Sequence, residues 1–506
     1  MKKIFSLCLL MLVFALAACA NDPAPAAGGG GGAATGGGTT AATGGDTAAT
    51  GDVVTLRAVF PGDPPNDEAN VLAEVNRRLL EDGYNFQINT VFVQDYWQNI
   101  ALMIAGGEIV DVAWAHESTI ADLRGRGVYQ PIDEYVDQYA PNIMAKMPDF
   151  VRMQGSVDGR LYAIPRMIPM AQYNWLWNIR GDLREAWGVP EIRTLEDLEV
   201  YLQRALDEGM TPTADHQGRP LYPVFAQFFF PMGDNGRYPL FVDPNDSSAT
   251  VQSFFESENW MNLVRNQRRW REIGFIAEDE SHFGGNANEG FLFGAVAAVP
   301  SNTNSIFERI DSLVNNIPGA WIESIMLNPE RRYVFQGGDN MLAVGSTSSN
   351  VREAVQFMDW IRASHENYDL WSHGIEGVNY NLNAAGAISF EGIDANMVYN
   401  PRTWMWNDMD LARFSANVSQ EMIDYKIHWD DGAIVTPFVG FTIDQSGFAS
   451  EFAQVLAVTD EYFSILVAGM APNYEAVNEE FITQLYAAGL QTVIDNIQAQ
   501  LNDFLN

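Results

Sequence analysis

The sequence predicts an α/β protein in which helices cover both faces of parallel strands, followed by a helical C-terminal stretch. Three observations predict it. Between Val53 and Ala115 the pattern runs strand, helix, strand, helix, strand at lengths suited to parallel pairing. The first strand-like run mixes apolar residues into both alternating sets, as expected when both faces are covered. From Ala449 onward the apolar residues Leu466, Tyr474, Phe481, Leu485, Val493, Ile497, Leu501 and Phe504 are placed to form helix faces.

In chain order, Val53 to Phe60 reads as a strand ended by Pro61-Gly62-Asp63-Pro64-Pro65. Asn66 or Asp67 then caps a helix with Val71, Leu72, Val75 and Leu79 on one face. Phe86 to Val93 is the second strand. Asp95 opens a helix with Tyr96, Ile100, Met103 and Ile104 on one stripe, and Gly106-Gly107 stops it. Ile109 to Ala115 is the third strand. Val151 to Pro165, with Asp158-Gly159 at its turn, is expected to be a hairpin. Thr194 and Asp197 make a capping-box-like start to a helix over Leu195 to Glu208, ended by Gly209. Thr250 to Ile273 reads as one long helix burying Phe254, Phe255, Trp260 and Trp270. A short helix end is expected to run into a strand over Ala295 to Val299. A helix over Ile306 to Val314 follows, then strands Tyr333 to Gln336 and Asn340 to Val344 around Gly337-Gly338-Asp339. The run Gly345 to Asn350 has hinge-like composition and caps a helix over Val351 to Ala363.

The N-terminus carries its own message. Met1-Lys2-Lys3, the apolar run Ile4 to Leu16, and the small residues before Cys19 form a secretory signal too short to span a bilayer. Leu16-Ala17-Ala18-Cys19 resembles a bacterial lipobox, which implies a signal over residues 1–18, cleavage before Cys19 and lipid on its sulfur. The alternative is a removed secretory peptide with a disordered tail. Residues 20–51 hold Gly, Ala, Thr and Pro with only Asn21, Asp22 and Asp46 besides, a composition with no large apolar side chain to bury. Residues 19–51 are therefore expected to be a lipidated cysteine and tether reaching roughly 30 Å.

The chain holds 29 basic and 65 acidic residues, for a formal charge of −36. Such a field disfavours nucleic acid and anionic headgroups. Cys8 and Cys19 are the only cysteines, so the folded part has no thiol for a disulfide, a zinc site or a nucleophile. The six histidines show no ligand spacing, and no serine-hydrolase, zincin or phosphate-loop motif occurs outside the tether. No metal, cofactor or catalytic residue is expected. A glycoside hydrolase remains the enzyme alternative, because the spacing of two carboxylates is spatial.

Several stretches together resemble a known family. They are Asp95-Tyr96 followed by Met103 to Asp111, Tyr139-Ala140-Pro141, Asp158 to Pro165, Arg180 to Leu183, Thr194 to Leu198, His373 to Tyr380 and Leu485 to Leu490. In order, they are similar to the extracellular solute-binding proteins of family 1, specifically the large Gram-positive lipoproteins serving carbohydrate ABC importers. The resemblance implies a periplasmic-binding-protein-like fold of the second type, with two doubly wound lobes joined by crossing segments. These would fall near Pro165 to Ala171, Val299 to Asn302 and Val344 to Asn350. One lobe would comprise residues 52–165 and 300–347, the other residues 166–299 and 348–506. It also implies a monomer that binds a carbohydrate, expected to be an oligosaccharide, in the cleft and hands it to permease subunits, with the membrane reached through the lipid alone. A surface glycan sensor or adhesin is the other reading of the same lobes.

A sugar cleft needs aromatic faces for ring C–H groups and polar groups for hydroxyls, at strand ends. Trp114, with His116 and Glu117, follows the third strand; Tyr96 and Trp97 open the helix beside it. Trp175 and Trp177 share one strand face, ahead of Arg180 and Asp182. Asn302 and Asn304 follow a crossing. Glu376 and Tyr380 lie in the Gly-rich stretch, and Trp404 and Trp406 in a Pro- and Asn-bounded loop. For each tryptophan the alternative is a core position, and for Asp182 a helix cap.

Overall fold

In the computed structural model, β1 (Val54–Pro61), α1 (Glu68–Glu81), β2 (Phe86–Val93), α2 (Tyr96–Ala105) and β3 (Val112–His116) follow one another. The structure describes residues 53–506 except 170, 172–174, 215–219, 222–239, 244–247, 277–286, 303–308, 328–331, 335–339, 440 and 442. β1 pairs in parallel with β2, Val54 opposite Phe86, and with β3, Ala58 opposite Val112. Parallel neighbours require a crossover, and the two helices supply it on opposite faces. Val71, Val75 and Leu79 of α1 pack with Leu56, Ala58 and Phe60. Ile100 and Ile104 of α2 pack with Val59 on the other side. This is why β1 reads as apolar on both alternations. β3 begins later than its apolar run, because Ile109 is exposed and the Asp111 carboxylate is tied to the backbone N–H of Arg57 at 2.8 Å.

Residues 151–165 are not one hairpin. Asp149–Gln154 is helical, a two-residue hairpin pairs Ser156–Val157 with Arg160–Leu161, and β4 (Ala163–Pro165) joins the first sheet. The chain then passes to a second sheet built from β5 (Trp175–Arg180), β6 (Thr211–Thr213), β7 (Val296–Asn302) and β8 (Ile322–Ile325), in the order β8-β5-β7-β6. It returns through β9 (Asn340–Ala343), antiparallel to β3 and β4, which completes the first sheet as β2-β1-β3-β9-β4.

Two crossings therefore lie elsewhere than expected. After Asn302 the chain stays with the second sheet: Ile310–Asn316 is helical and β8 pairs antiparallel with β5, Ile322 opposite Arg180. The return lies between β8 and β9. The run Gly345 to Asn350 is not a departure from the first sheet either. Its Ser346 N–H bonds the Val128 carbonyl, and its Ser348 hydroxyl donates to Asp111 at 2.5 Å, so α3 (Val351–Trp360) packs on the first core. Residues 310–325 thus belong with the second sheet, and residues 351–411 contribute Trp360, Tyr368, Trp371, Tyr399, Trp406 and Leu411 to the first core, correcting the expected division at 300 and 348. The physical reason is sequestration of apolar area: these side chains match faces already open on those sheets.

The second core gathers Trp177, Tyr201, Trp260, Trp270 and the C-terminal helices α4 (Ala449–Val467), α5 (Tyr474–Ala487) and α6 (Leu490–Leu505). Thr250 to Ile273 is not a single helix. Val251–Ser253 is a strand, and Ser257 accepts from the Trp260 N–H to start the helix Glu258–Glu272. The helix over Leu195–Asp207 does begin with a reciprocal capping box of Thr194 and Asp197. Tyr333–Val334 pairs with Ile434–Val435, not with β9; the turn 337–339 lies outside the described residues. Gly51–Asn506 forms one compact unit.

Candidate ligand-binding site

β1, β2 and β3 all end at one edge of the first sheet, and the antiparallel β9 starts there, with Asn340 opposite His116. At this edge both helices that follow β1 and β2 are preceded by an aspartate in left-handed conformation, Asp67 at φ 55° and Asp95 at φ 45°. The turn at Asp95 sets Tyr96 and Trp97 against the strand end. Trp97 lies 4.1 Å, centroid to centroid, from Trp114 at 36°, and Trp404 meets Trp114 at 5.1 Å and 77°. His116 stands 6.3 Å from Trp114 and 6.4 Å from Trp97. Trp404 arrives from far along the chain, on the single turn Thr403–Met405.

The wall is braced from behind. The buried phenols of Tyr96 and Tyr129 each donate to the Trp114 carbonyl, at 2.9 and 3.0 Å, and burial pushes both phenol pKa values up. The Trp114 indole N–H donates to the Asn340 side chain at 2.9 Å. With the indole N–H and carbonyl of Trp114 so held, Trp97, Trp114 and Trp404 are half-buried and tilted against one another. Such a wall suits an apolar ring face whose rim is polar.

The remaining expected residues are placed elsewhere or fall outside description. Trp406 is a correction to the expected pair: it is 0% exposed, packs against Phe60 and Trp371, and donates its indole N–H to Ser372 at 3.1 Å. One residue between it and Trp404 reverses the direction, because the turn there is helical rather than extended. Arg180 is buried and forms a two-pronged pair with Asp182 at 2.8 and 2.6 Å, far along β5 from its crossing end. Trp177 packs on Trp270 in the second core. Glu376 is exposed on a tight loop; Tyr380, 3% exposed, packs on His373 at 5.7 Å. That loop is organised by Asn379, whose side chain accepts from the Ile375 N–H and donates to Asp67 and to the Met397 carbonyl. Trp175 and Asn302 begin and end adjacent strands in register, but their side chains lie outside the described residues, as does that of Glu117; Asn304 and Cys19 lie outside them altogether.

Beside the turn that carries Trp404 is a cavity of about 490 Å³. One side comes from the first core, through Tyr368, Phe390, Tyr399, Thr403 and Asn407. The other comes from Arg309, Asp311, Ser312 and Asn315 at the helix preceding β8. Neither the cavity nor the bracing by Asn340 and Tyr129 was legible in the sequence. Its walls come from distant stretches of the chain, Arg309 to Asn315 and Tyr368 to Asn407, and no local pattern ties them. Among the described residues no cluster of three or more His, Cys, Asp or Glu is placed to hold a metal ion, and no helix is long and apolar enough to cross a membrane.

The profile of the bacterial extracellular solute-binding proteins matches residues 79–390, which hold every strand of the first sheet but β1, the second sheet and the return between them. The chain belongs to this family. A second profile, a domain of unknown function (DUF3502), covers residues 437–506, the helical C-terminus of this solute-binding protein. No curated protein matches it in sequence. Among solved structures it is similar to the N-glycan transport solute-binding protein NgtS of Streptococcus pneumoniae, with a TM-score of 0.75 at 16% identity over 89% of this chain and 99% of that one. The alginate-binding protein AlgQ2 gives 0.64 at 18% identity over 90% and 99%. The S. pneumoniae ABC-transporter substrate-binding protein FusA in complex with kestose gives 0.60 at 15% identity over 89% and 99%. At these identities the likeness is one of fold, and the fold is the type II periplasmic-binding-protein-like architecture with a helical C-terminal region.

Proposed function

We propose that this solute-binding protein is the lipid-anchored receptor of an ABC importer, which captures a carbohydrate and presents it to permease subunits without breaking a bond. The observation that carries the sugar reading is the Trp97–Trp114–Trp404 wall at the carboxyl edge of the first sheet. Half-buried indoles offer flat apolar faces, and each sugar ring has one face of C–H groups to lay on them. Support also comes from the similar structures: NgtS is described with Man1GlcNAc and Man5GlcNAc, and FusA with kestose.

The anchor rests on Leu16-Ala17-Ala18-Cys19 and on the tether that follows. The hinge of this reading lies where the chain passes between the two sheets, from β4 to β5 and from β8 to β9. Closure would be driven by contacts a ligand makes to both sides and only when they approach.

The test is equilibrium titration against neutral and acidic oligosaccharides, read by tryptophan fluorescence. Binding of at least one sugar class, weakened by Trp97→Ala and Trp404→Ala, is expected. A silent response to every sugar, with tight binding of a peptide instead, removes the reading. The mass of the mature N-terminus tests the anchor, which requires acyl chains on Cys19.

A further inference from the structure

We propose that residues 429–436 are a clasp that bonds both passages between the sheets, makes them move as one hinge, and thereby sets how strongly any ligand is captured. This rests on the two-sided capture proposed above and adds to it the segment that controls the motion.

The clasp arrives from the second half of the molecule. Leu411 belongs to the first core, whereas Val418 and Met422 pack with Val296, Val299 and Ile322 of the second sheet. The chain has therefore crossed once more before it reaches residue 429. From there it turns back over the two earlier passages.

Each passage is bonded through its backbone. Between β4 and β5, the Asp430 carboxylate accepts from the Ala171 N–H at 2.6 Å, and the Trp429 indole N–H donates to the Ala171 carbonyl at 3.0 Å. Between β8 and β9, the Arg332 guanidinium donates to the Trp429 carbonyl at 2.9 Å, and the Ile434 N–H donates to the Arg332 carbonyl at 2.8 Å. Tyr333–Val334 pairs in parallel with Ile434–Val435, and Thr436 extends the pairing: its N–H and its hydroxyl both donate to the Val334 carbonyl, at 2.9 and 3.0 Å. Trp429 alone thus ties Ala171 to Arg332.

These bonds sit in a small core of their own. Ala171, Leu176, Val334, Trp429 and Val439 form an apolar cluster apart from the larger cores, with Phe150, Ile168, Met326 and Ala433 packed against it. Phe150 also packs on the first core, so the cluster touches both halves. Trp429 and Thr436 are buried, which keeps water from competing for their bonds. The first passage is fixed on its other side as well, because the Met167 N–H bonds the Asn407 carbonyl at 2.7 Å and the Met409 N–H bonds the Met167 carbonyl at 2.8 Å. It is held to the first half at Met167 and to the clasp at Ala171.

The consequence is thermodynamic. Two unlinked passages would let the halves twist and slide as well as close, and a ligand touching both sides would have to remove that freedom on binding. Linked passages leave closure as the main motion. Observed affinity scales with the fraction of molecules in the competent arrangement. Loosening the clasp therefore weakens every ligand by one common factor, because the buried Trp429 and Thr436 offer a ligand no surface.

The experiment uses the full chain with Cys8→Ser and Cys19→Ser, which leaves no native thiol. Spin labels go on Ala73→Cys in α1 and Ala457→Cys in α4, both exposed positions, and pulsed dipolar spectroscopy reads the distance between the halves. Trp429→Phe deletes the bond to Ala171 and keeps an aromatic ring; Thr436→Val deletes one of the two bonds to Val334. Either serves if the other disturbs folding, which thermal melting reports. Trp260→Phe is the control, since it deletes an indole bond to Asn478 inside the second core. Without sugar, each clasp variant should broaden the distance distribution by roughly half or more, and the control should leave it unchanged. In titrations with Man5GlcNAc, kestose and an oligogalacturonate, the clasp variants should lose about threefold or more in affinity, by the same factor for every sugar the native chain binds. Unchanged distributions in both clasp variants, or equal broadening by the control, overturn the clasp whatever the sugars do. Losses that differ from sugar to sugar overturn it too, because the substitutions then act on ligand contacts. Silence toward every sugar, with the distributions broadened as expected, removes the carbohydrate reading and leaves the clasp standing.

Discussion

Trp404 and Trp406 lie two residues apart and have opposite fates, and the difference is measurable. Trp406→Ala leaves a cavity among Phe60, Trp371 and Ser372 and should cost about 3–5 kcal/mol of stability, read as a lower urea midpoint. Trp404→Ala removes a half-buried ring from the wall and should weaken ligand binding roughly tenfold or more, with a melting temperature close to the native one. If Trp404→Ala melts the protein as Trp406→Ala does, the wall is core and not site. His373 gives a pH signature. Its folded pKa, about 4, lies below the ordinary histidine value because burial disfavours the charged ring. The stability it contributes is full above about 6.5 and is lost as pH falls from there through about 4, since the unfolded chain takes up the proton first. A loss on the order of 1–2 kcal/mol over that window is expected, and His373→Gln should flatten it.

At the scale of elements, starts and stops follow side chains that the chain carries locally. The capping box of Thr194 and Asp197 and the Ser257 cap are of this kind. Thr194→Ala should lower stability by about 1 kcal/mol, measured by urea unfolding. Gly345 is different. Its substitution would bring a Cβ to 2.5 Å from the Val110 carbonyl oxygen and 2.9 Å from the Val110 Cβ, at a loop tied to the first sheet through Val128 and Asp111. The opposing atom is backbone and has nowhere to retreat. Gly345→Ala should therefore destabilise the protein by about 1–3 kcal/mol, whereas Gly159→Ala, with open space around it, should be limited to the strain of its positive φ of 72°. The glycine at 345 serves close packing, and its neighbours Ser346 and Ser348 make anchoring bonds, which is why a composition that reads as a hinge forms a fixed loop.

At the scale of the whole molecule, ligand capture by closure of one sheet-bearing half on the other should reduce the radius of gyration measured by small-angle scattering in the presence of a bound sugar. No change on saturation would favour a preformed pocket. The charge of −36 should have little effect on the affinity of a neutral sugar, so raising salt should leave it nearly constant. What the sequence by itself determined was whatever depends on neighbours in the chain: the strand and helix alternation to Ala115, the capping box, the helical C-terminus, and the aromatic residues Tyr96, Trp97 and Trp114 at the edge of the first sheet. Those signals are local because periodicity and capping act within a few residues. The tertiary structure alone decided that β8 stays with the second sheet, that residues 351–411 complete the first core, that Trp404 joins the wall while Trp406 leaves it, and that a cavity opens beside them. Each of these depends on which apolar faces remain uncovered once the sheets have formed, and buried area is a property of the assembled surfaces and not of any stretch of chain.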